Sequence, residues 1–195
     1  MTPATQKLTF EEYLTYSDGT DTRYELVNGE LTPMSLGTGK HGAIIHFLTR
    51  QFEDNITQSG QSWLALPSLV GVRSPRGRRW DTSRIPDITV LPLAQWEAME
   101  NREAVINFNE PPPILVVEVV SPSSKTDDYR SKRAEYGLLE ILEYWIVDPL
   151  EAKITLCILD HEFYDLIDYQ GDRSIQSPVF PNLKLTAAQV LTAKL

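Results

Sequence analysis

Ile114-Leu115-Val116-Val117-Glu118-Val119-Val120 follows three prolines, Pro111-Pro112-Pro113, and its reading governs the rest of the chain. An almost unbroken apolar run behind chain breakers reads as a strand covered on both faces. Glu118 is the anomaly inside it. A carboxylate in the middle of a buried strand is costly unless it is paired, hydrogen-bonded or bound to a metal. Downstream, Ser121-Pro122-Ser123-Ser124 ends the strand and caps a helix expected to run to about Leu139. Glu143-Tyr144-Trp145-Ile146-Val147-Asp148 is a second buried strand. Strand, helix and strand across residues 114–148 form a βαβ crossover, so the two strands are expected to be parallel, with a right-handed connection.

Upstream, Ile85-Pro86-Asp87-Ile88-Thr89-Val90-Leu91 reads as a strand with the proline near its start. The apolar positions Ile44, Ile45, Leu48, Phe52 and Ile56 recur at helical spacing and predict an amphipathic helix over 41–56. Tyr24-Glu25-Leu26-Val27 and Glu30-Leu31-Thr32-Pro33-Met34 flank Asn28-Gly29, a strong hairpin signal. Thr9-Phe10-Glu11-Glu12 is a capping box that opens a short helix. Further strands are expected over 62–66 and 69–73, and a short helix over 93–102. Beyond the crossover, strands are expected over 153–159 and 163–169, then a β-rich segment to Leu185 and a helix over 187–195. No repeat or linker splits the 195 residues, so one domain is expected over 1–195, with its core at about 22–185.

Hydrophobic residues make up 42% and charged residues 23%, as in an ordinary folded globule. No apolar run approaches the roughly 20 residues a membrane helix needs. The N-terminus lacks the apolar core of a signal peptide, and the single cysteine, Cys157, lies in an apolar run and reads as a buried thiol. A cytoplasmic setting follows as the expectation. The formal net charge is −9, which argues against tight non-specific binding of nucleic acid. Five arginines nevertheless fall close together at Arg73, Arg76, Arg78, Arg79 and Arg84, and are expected to form a local positive patch.

Asp87 and Glu118, on adjacent strand ends, could hold a hard cation through oxygen ligands; Asp87 could equally cap a turn, and Glu118 could pair with a basic residue. Here the order of motifs resembles a known family. Arg84-Ile85-Pro86-Asp87-Ile88-Thr89-Val90, then Val116-Val117-Glu118-Val119-Val120-Ser121-Pro122-Ser123-Ser124, then Asp128 with Lys132 and Tyr136, then Glu143-Tyr144-Trp145-Ile146-Val147-Asp148-Pro149 look like the Uma type of bacterial restriction-endonuclease-like proteins. That family lies within the PD-(D/E)xK nuclease superfamily. Tyr24-Glu25-Leu26-Val27-Asn28-Gly29-Glu30-Leu31 and His41 match its N-terminal pattern, and the likeness runs from about Phe10 to Leu185.

The resemblance implies an α/β (α+β) fold: a restriction-endonuclease-like mixed sheet flanked by helices, with an N-terminal helix and hairpin. It implies a metal-dependent endonuclease acting on DNA with Mg²⁺ or Mn²⁺. Asp87, Glu118 and the carbonyl of Val119 would bind the metal. The superfamily's lysine, expected two residues after Glu118, is replaced by Val120. The resemblance moves that role to Lys132, with Lys125 as competitor and a solvated helix face or an ion pair to Asp128 as the plain alternatives. Lys132→Ala is expected to leave folding largely intact. Glu25 is implied to complete the site, the alternative being a charge pair with Arg23 or Lys40. His41 would donate to phosphate or to Glu25, the alternative being an ordinary histidine at a helix N-terminus. A homodimer is expected, because two strands need two sites. The competing reading is a catalytically silent nuclease fold that binds nucleic acid or a protein; a glycosidase using the same two acids lacks supporting motifs.

Overall fold

The computed structural model describes residues 7–76 and 80–195. In chain order the elements are α1 (Phe10–Leu14), β1 (Tyr24–Val27), β2 (Glu30–Pro33), α2 (Gly39–Ser59), β3 (Trp63–Pro67), β4 (Gly71–Arg76), β5 (Trp80–Arg84), β6 (Ile88–Pro92) and α3 (Leu93–Glu97). There follow β7 (Val105–Ile106), β8 (Leu115–Val119), a π-helical stretch (Asp127–Lys132) running into α4 (Arg133–Leu138), β9 (Glu143–Asp148), β10 (Lys153–Asp160), β11 (Phe163–Gln170) and α5 (Ala187–Leu191). The fold is mixed α+β, with helices flanking two mixed sheets where the sequence suggested one. The larger sheet has the order β11-β10-β9-β8-β6-β3, and the smaller has β2-β1-β5-β4-β7.

Local chemistry explains several elements. Thr9 and Glu12 close the capping box of α1 in both directions. Asn28 and Gly29 both take positive φ, 52° and 80°, as a two-residue type I′ hairpin turn requires. β8 and β9 pair in parallel, Glu118 opposite Ile146, so the crossover has the pairing its spacing predicts.

Side chains along β8 alternate between two environments. Leu115, Val117 and Val119 face an apolar core that includes Ile44, Leu48 and Phe52 of α2, Trp145 and Val147 of β9, and the C-terminal segment around Phe180 and Val190. Val116 and Val120 face the opposite way, into a smaller cluster with Tyr136, Tyr144, Ile146 and Cys157. Glu118 shares that second face.

Several elements differ from expectation. β6 starts at Ile88, because Pro86 has no N–H for the ladder and the chain turns there. The crossover segment is π-helical from Asp127 to Lys132 before α4, where an ordinary helix was expected to about Leu139. α3 stops at Glu97 and α5 at Leu191, each followed by turns. Between β11 and α5 the expected β-rich segment is reduced to one bridge, Ser174 to Thr186.

Candidate active site

Asp87 sits one residue before β6. The antiparallel ladder pairs Ile88 with Val117, and one further step sets Asp87 opposite Glu118. The N–H of Val120 is bonded to Val147 of β9, so the N–H of Val119 points the other way, toward Asp87. Asp87 Oδ2 accepts it at 2.7 Å, filling the ladder position that the turn at Pro86 leaves open. Asp87 thus does satisfy a backbone donor, and it does so beside Glu118.

Glu118 is 3% exposed and both its oxygens are engaged. Tyr136 donates its hydroxyl to Oε1 at 2.7 Å, and Lys132 Nζ lies 2.8 Å from Oε2. The same ammonium is 2.9 Å from Oδ1 of Asp128, and Ser124 donates to Oδ2 of Asp128 at 2.6 Å. Lys132 therefore makes both contacts the sequence left open, to Glu118 and to Asp128. Burial pushes the Glu118 carboxyl up to about 8; Asp87, Asp128 and Glu25 push the same way, and Lys132 opposes them. Burial works against the charge on Lys132, but Glu118 and Asp128 outweigh it and hold the amine above the ordinary lysine value. Because Lys132 is 7% exposed between two buried acids, truncating it must cost stability, contrary to the expectation that folding would be spared.

Lys125 is not at this site. Its amine pairs with Glu151 at 2.6 Å and lies 3.7 Å from Asp148. His41, in the first turn of α2, does not reach for Glu25: its Nε2 is 3.3 Å from Asp87 Oδ2, and the nearby Val119 backbone also favours the charged ring. The bond to Asp87 is the main cause holding the imidazole above its usual pKa. Gly37 makes this possible, since a Cβ there would stand 2.5 Å from Nδ1 of His41.

Glu25 pairs with neither Arg23 nor Lys40. Its Oε1 accepts from the N–H of Ile85 at 2.9 Å and its Oε2 from Arg84 at 3.2 Å. Arg84 is 1% exposed and forks onto Glu135 of α4, at 2.9 and 3.3 Å. Glu25 and Arg84 thus brace the Ile85-Pro86-Asp87 turn against the crossover helix. Of the five arginines expected to form a positive patch, two are corrected: Arg84 is buried in this brace, and Arg73 is bonded to Asp81 and packed over the rings of Phe10 and Phe108. The side chains of Arg76, Arg78 and Arg79 lie outside the described residues.

The sequence reading gave no role to Glu135 and counted Arg84 as a surface cation. The available signal was the series Asp128, Lys132, Glu135 and Tyr136, which puts several polar groups along one helix that must pack on a sheet.

Five carboxylates, those of Glu25, Asp87, Glu118, Asp128 and Glu135, thus share this region with two permanent cations, Arg84 and Lys132. Among the described residues no three His, Cys, Asp or Glu side chains are close enough to hold a metal. The expected donor set needs only two carboxylates and a backbone carbonyl. Oδ1 of Asp87 has no protein partner among the described residues, and its side chain is partly open to solvent. Hard oxygen donors with an excess of negative charge fit a hard divalent cation.

Among the described residues no helix is long and apolar enough to cross a membrane. A comparison with curated proteins finds no match. Among solved structures, the chain is similar to a crystal structure from Anabaena variabilis ATCC 29413, described as a "putative nuclease belonging to DUF820". The likeness has a TM-score of 0.75 at 18% identity and covers 95% of this chain and 98% of that one, so the two share a fold. Residues 10–188 match the Uma2 family model, whose description reads "Putative restriction endonuclease", and the chain belongs to that family.

Proposed function

We propose that this protein is an endonuclease that hydrolyses DNA phosphodiester bonds with Mg²⁺ or Mn²⁺. The observation that carries the reading is Lys132 Nζ at 2.8 Å from Glu118, on a strand position directly across from Asp87. It restores on the crossover helix the ammonium that Val120 cannot supply. Asp87, Glu118 and the Val119 carbonyl would hold the metal, which when bound neutralises charge on the phosphate and acidifies water. Lys132 orients the attacking water and offsets negative charge beside the phosphate. Tyr136 fixes the Glu118 carboxylate from its other side. Glu25 and Arg84 hold the Asp87 turn in place, and His41 with the Val119 N–H holds Oδ2 of Asp87, which leaves Oδ1 for the cation. On this reading the protein works in the cytoplasm, where Cys157 stays a thiol, and two copies act on the two strands.

The test is cleavage of plasmid DNA by purified protein in Mg²⁺, in Mn²⁺ and in EDTA, beside Asp87→Asn and Glu118→Gln. Metal-dependent nicking lost by about 100-fold or more in both variants is expected. Equal cleavage by the variants would assign the activity elsewhere. One observation favours a silent, binding-only fold: three of the four oxygens of Asp87 and Glu118 already have protein partners. DNA binding with no cleavage in either metal would make that the better reading.

A further inference from the structure

Arg23 differs from the other cations near the site. Lys132 and Arg84 are neutralised by buried acids, whereas Arg23 takes part in no ion pair among the described residues. Its Nη2 donates to the carbonyl of Ser68 at 2.7 Å. Ser68, itself in the left-handed region at φ 48°, donates its N–H to the carbonyl of Asp87 at 3.1 Å. The guanidinium is therefore tied to the turn that positions Asp87, and among the described residues its other N–H groups meet no protein acceptor.

Beside it opens a cavity of about 280 Å³, lined by Arg23, Tyr13, Tyr16, Tyr24, Ile85 and Glu103 among others. Tyr13 donates to the carbonyl of Tyr24 and Tyr24 donates to Asp18, so two of the rings are held in place by their own hydroxyls. Tyr16 meets Tyr24 edge to face at 5.7 Å and is 43% exposed, which leaves ring surface open to a ligand. Ile85 both lines the cavity and lies two residues before Asp87, so cavity and acid pair border one loop.

An uncompensated guanidinium fork fits a phosphate, and fixed aromatic rings fit a base. Glu103 on the lining disfavours a bare phosphate but can accept from the amino group of a base. We propose that this cavity binds one nucleotide of the strand flanking the cut, its phosphate on Arg23 and its base against Tyr16. A base stacked within a duplex cannot enter, so the strand must be unpaired at that position. The inference rests on the endonuclease reading for the identity of the substrate.

The experiment measures binding of a short fluorescent single-stranded DNA and its duplex in EDTA, where no cleavage occurs, to the wild type, Arg23→Ala, Arg23→Lys and Tyr16→Ala. Circular dichroism checks that each variant folds. The wild type is expected to prefer the single strand. Arg23→Ala and Tyr16→Ala should each weaken binding about 10-fold. Arg23→Ala should also reduce the log–log salt slope by about 0.7, the value for one phosphate on a single strand, while Arg23→Lys retains the slope with weaker binding. Folded Arg23→Ala and Tyr16→Ala that bind the single strand as the wild type does would overturn the cavity proposal, even if the wild type cleaves DNA. The expected losses in a protein that cleaves nothing in any divalent metal would support the cavity and overturn the catalytic reading alone. Inorganic phosphate displacing the strand as well as a mononucleotide does would overturn the base-binding part.

Discussion

The two faces of strand β8 set a comparison inside one element. Leu115, Val117 and Val119 look into a dry core made by α2, β9 and the C-terminal segment. One residue out of phase, Glu118 looks toward the crossover helix and meets Lys132, Tyr136 and Asp128. The apolar face is stabilised by area removed from water, and any side chains of the right shape would serve there. The polar face holds only as a complete set, because each buried charge depends on the next. The first face builds a platform, and the second places groups able to do chemistry on it.

The largest expected effect separates these two kinds of stability. Lys132→Met should lower unfolding free energy by about 3–5 kcal/mol, by stranding Glu118 and Asp128 in the interior. Phe52→Ala, on the dry face, should cost a similar amount through its cavity. Adding Glu118→Gln to Lys132→Met should recover part of the loss, whereas adding it to Phe52→Ala should not. Urea denaturation of the four variants reads this out, and equal behaviour of the two pairs would show that the polar face is packed like the other.

A smaller effect is expected from Gly37→Ala. The new Cβ would displace the His41 ring from Asp87 while leaving both cores untouched. On the endonuclease reading, cleavage should fall by roughly 10–100-fold with the melting temperature nearly unchanged. Unchanged cleavage would remove His41 from the site.

The smallest effect concerns an exception on the dry face. Glu143 is fully buried there, and its oxygens accept from Trp145 Nε1 and from the N–H of Val179 at 3.0 Å. Burial raises its pKa despite these bonds. A carboxyl raised in the folded state contributes stability that is present below its unfolded pKa and lost as pH rises through the folded one. The wild type should therefore lose stability from about pH 4.5 upward, through the folded value, relative to Glu143→Gln, which lacks that titration. Urea midpoints for both proteins across that interval test it; parallel curves would mean that Glu143 titrates as if exposed.

Much of this was legible in the chain itself, and the limits are physical. Periodicity showed the buried strands 114–120 and 143–148, the crossover between them, the α2 face and the Asn28-Gly29 turn, because those signals depend on neighbours only a few residues apart. A lone carboxylate in an apolar strand marked Glu118 for the same reason: its cost is local, whatever relieves it. The partner that relieves it depends on which helix face packs on the sheet. The family resemblance narrowed that to Lys132 or Lys125, and the geometry puts Lys132 on Glu118 and Lys125 on Glu151. Arg84 with Glu135, and His41 with Asp87, join residues dozens of positions apart through packing of separate elements. So does the link from Arg23 through Ser68 to Asp87. Patterns of short range settled which segments are buried and where a charge is out of place. Only the tertiary structure decided which charges meet, since burial in one shared interior selects those pairs and chain spacing does not.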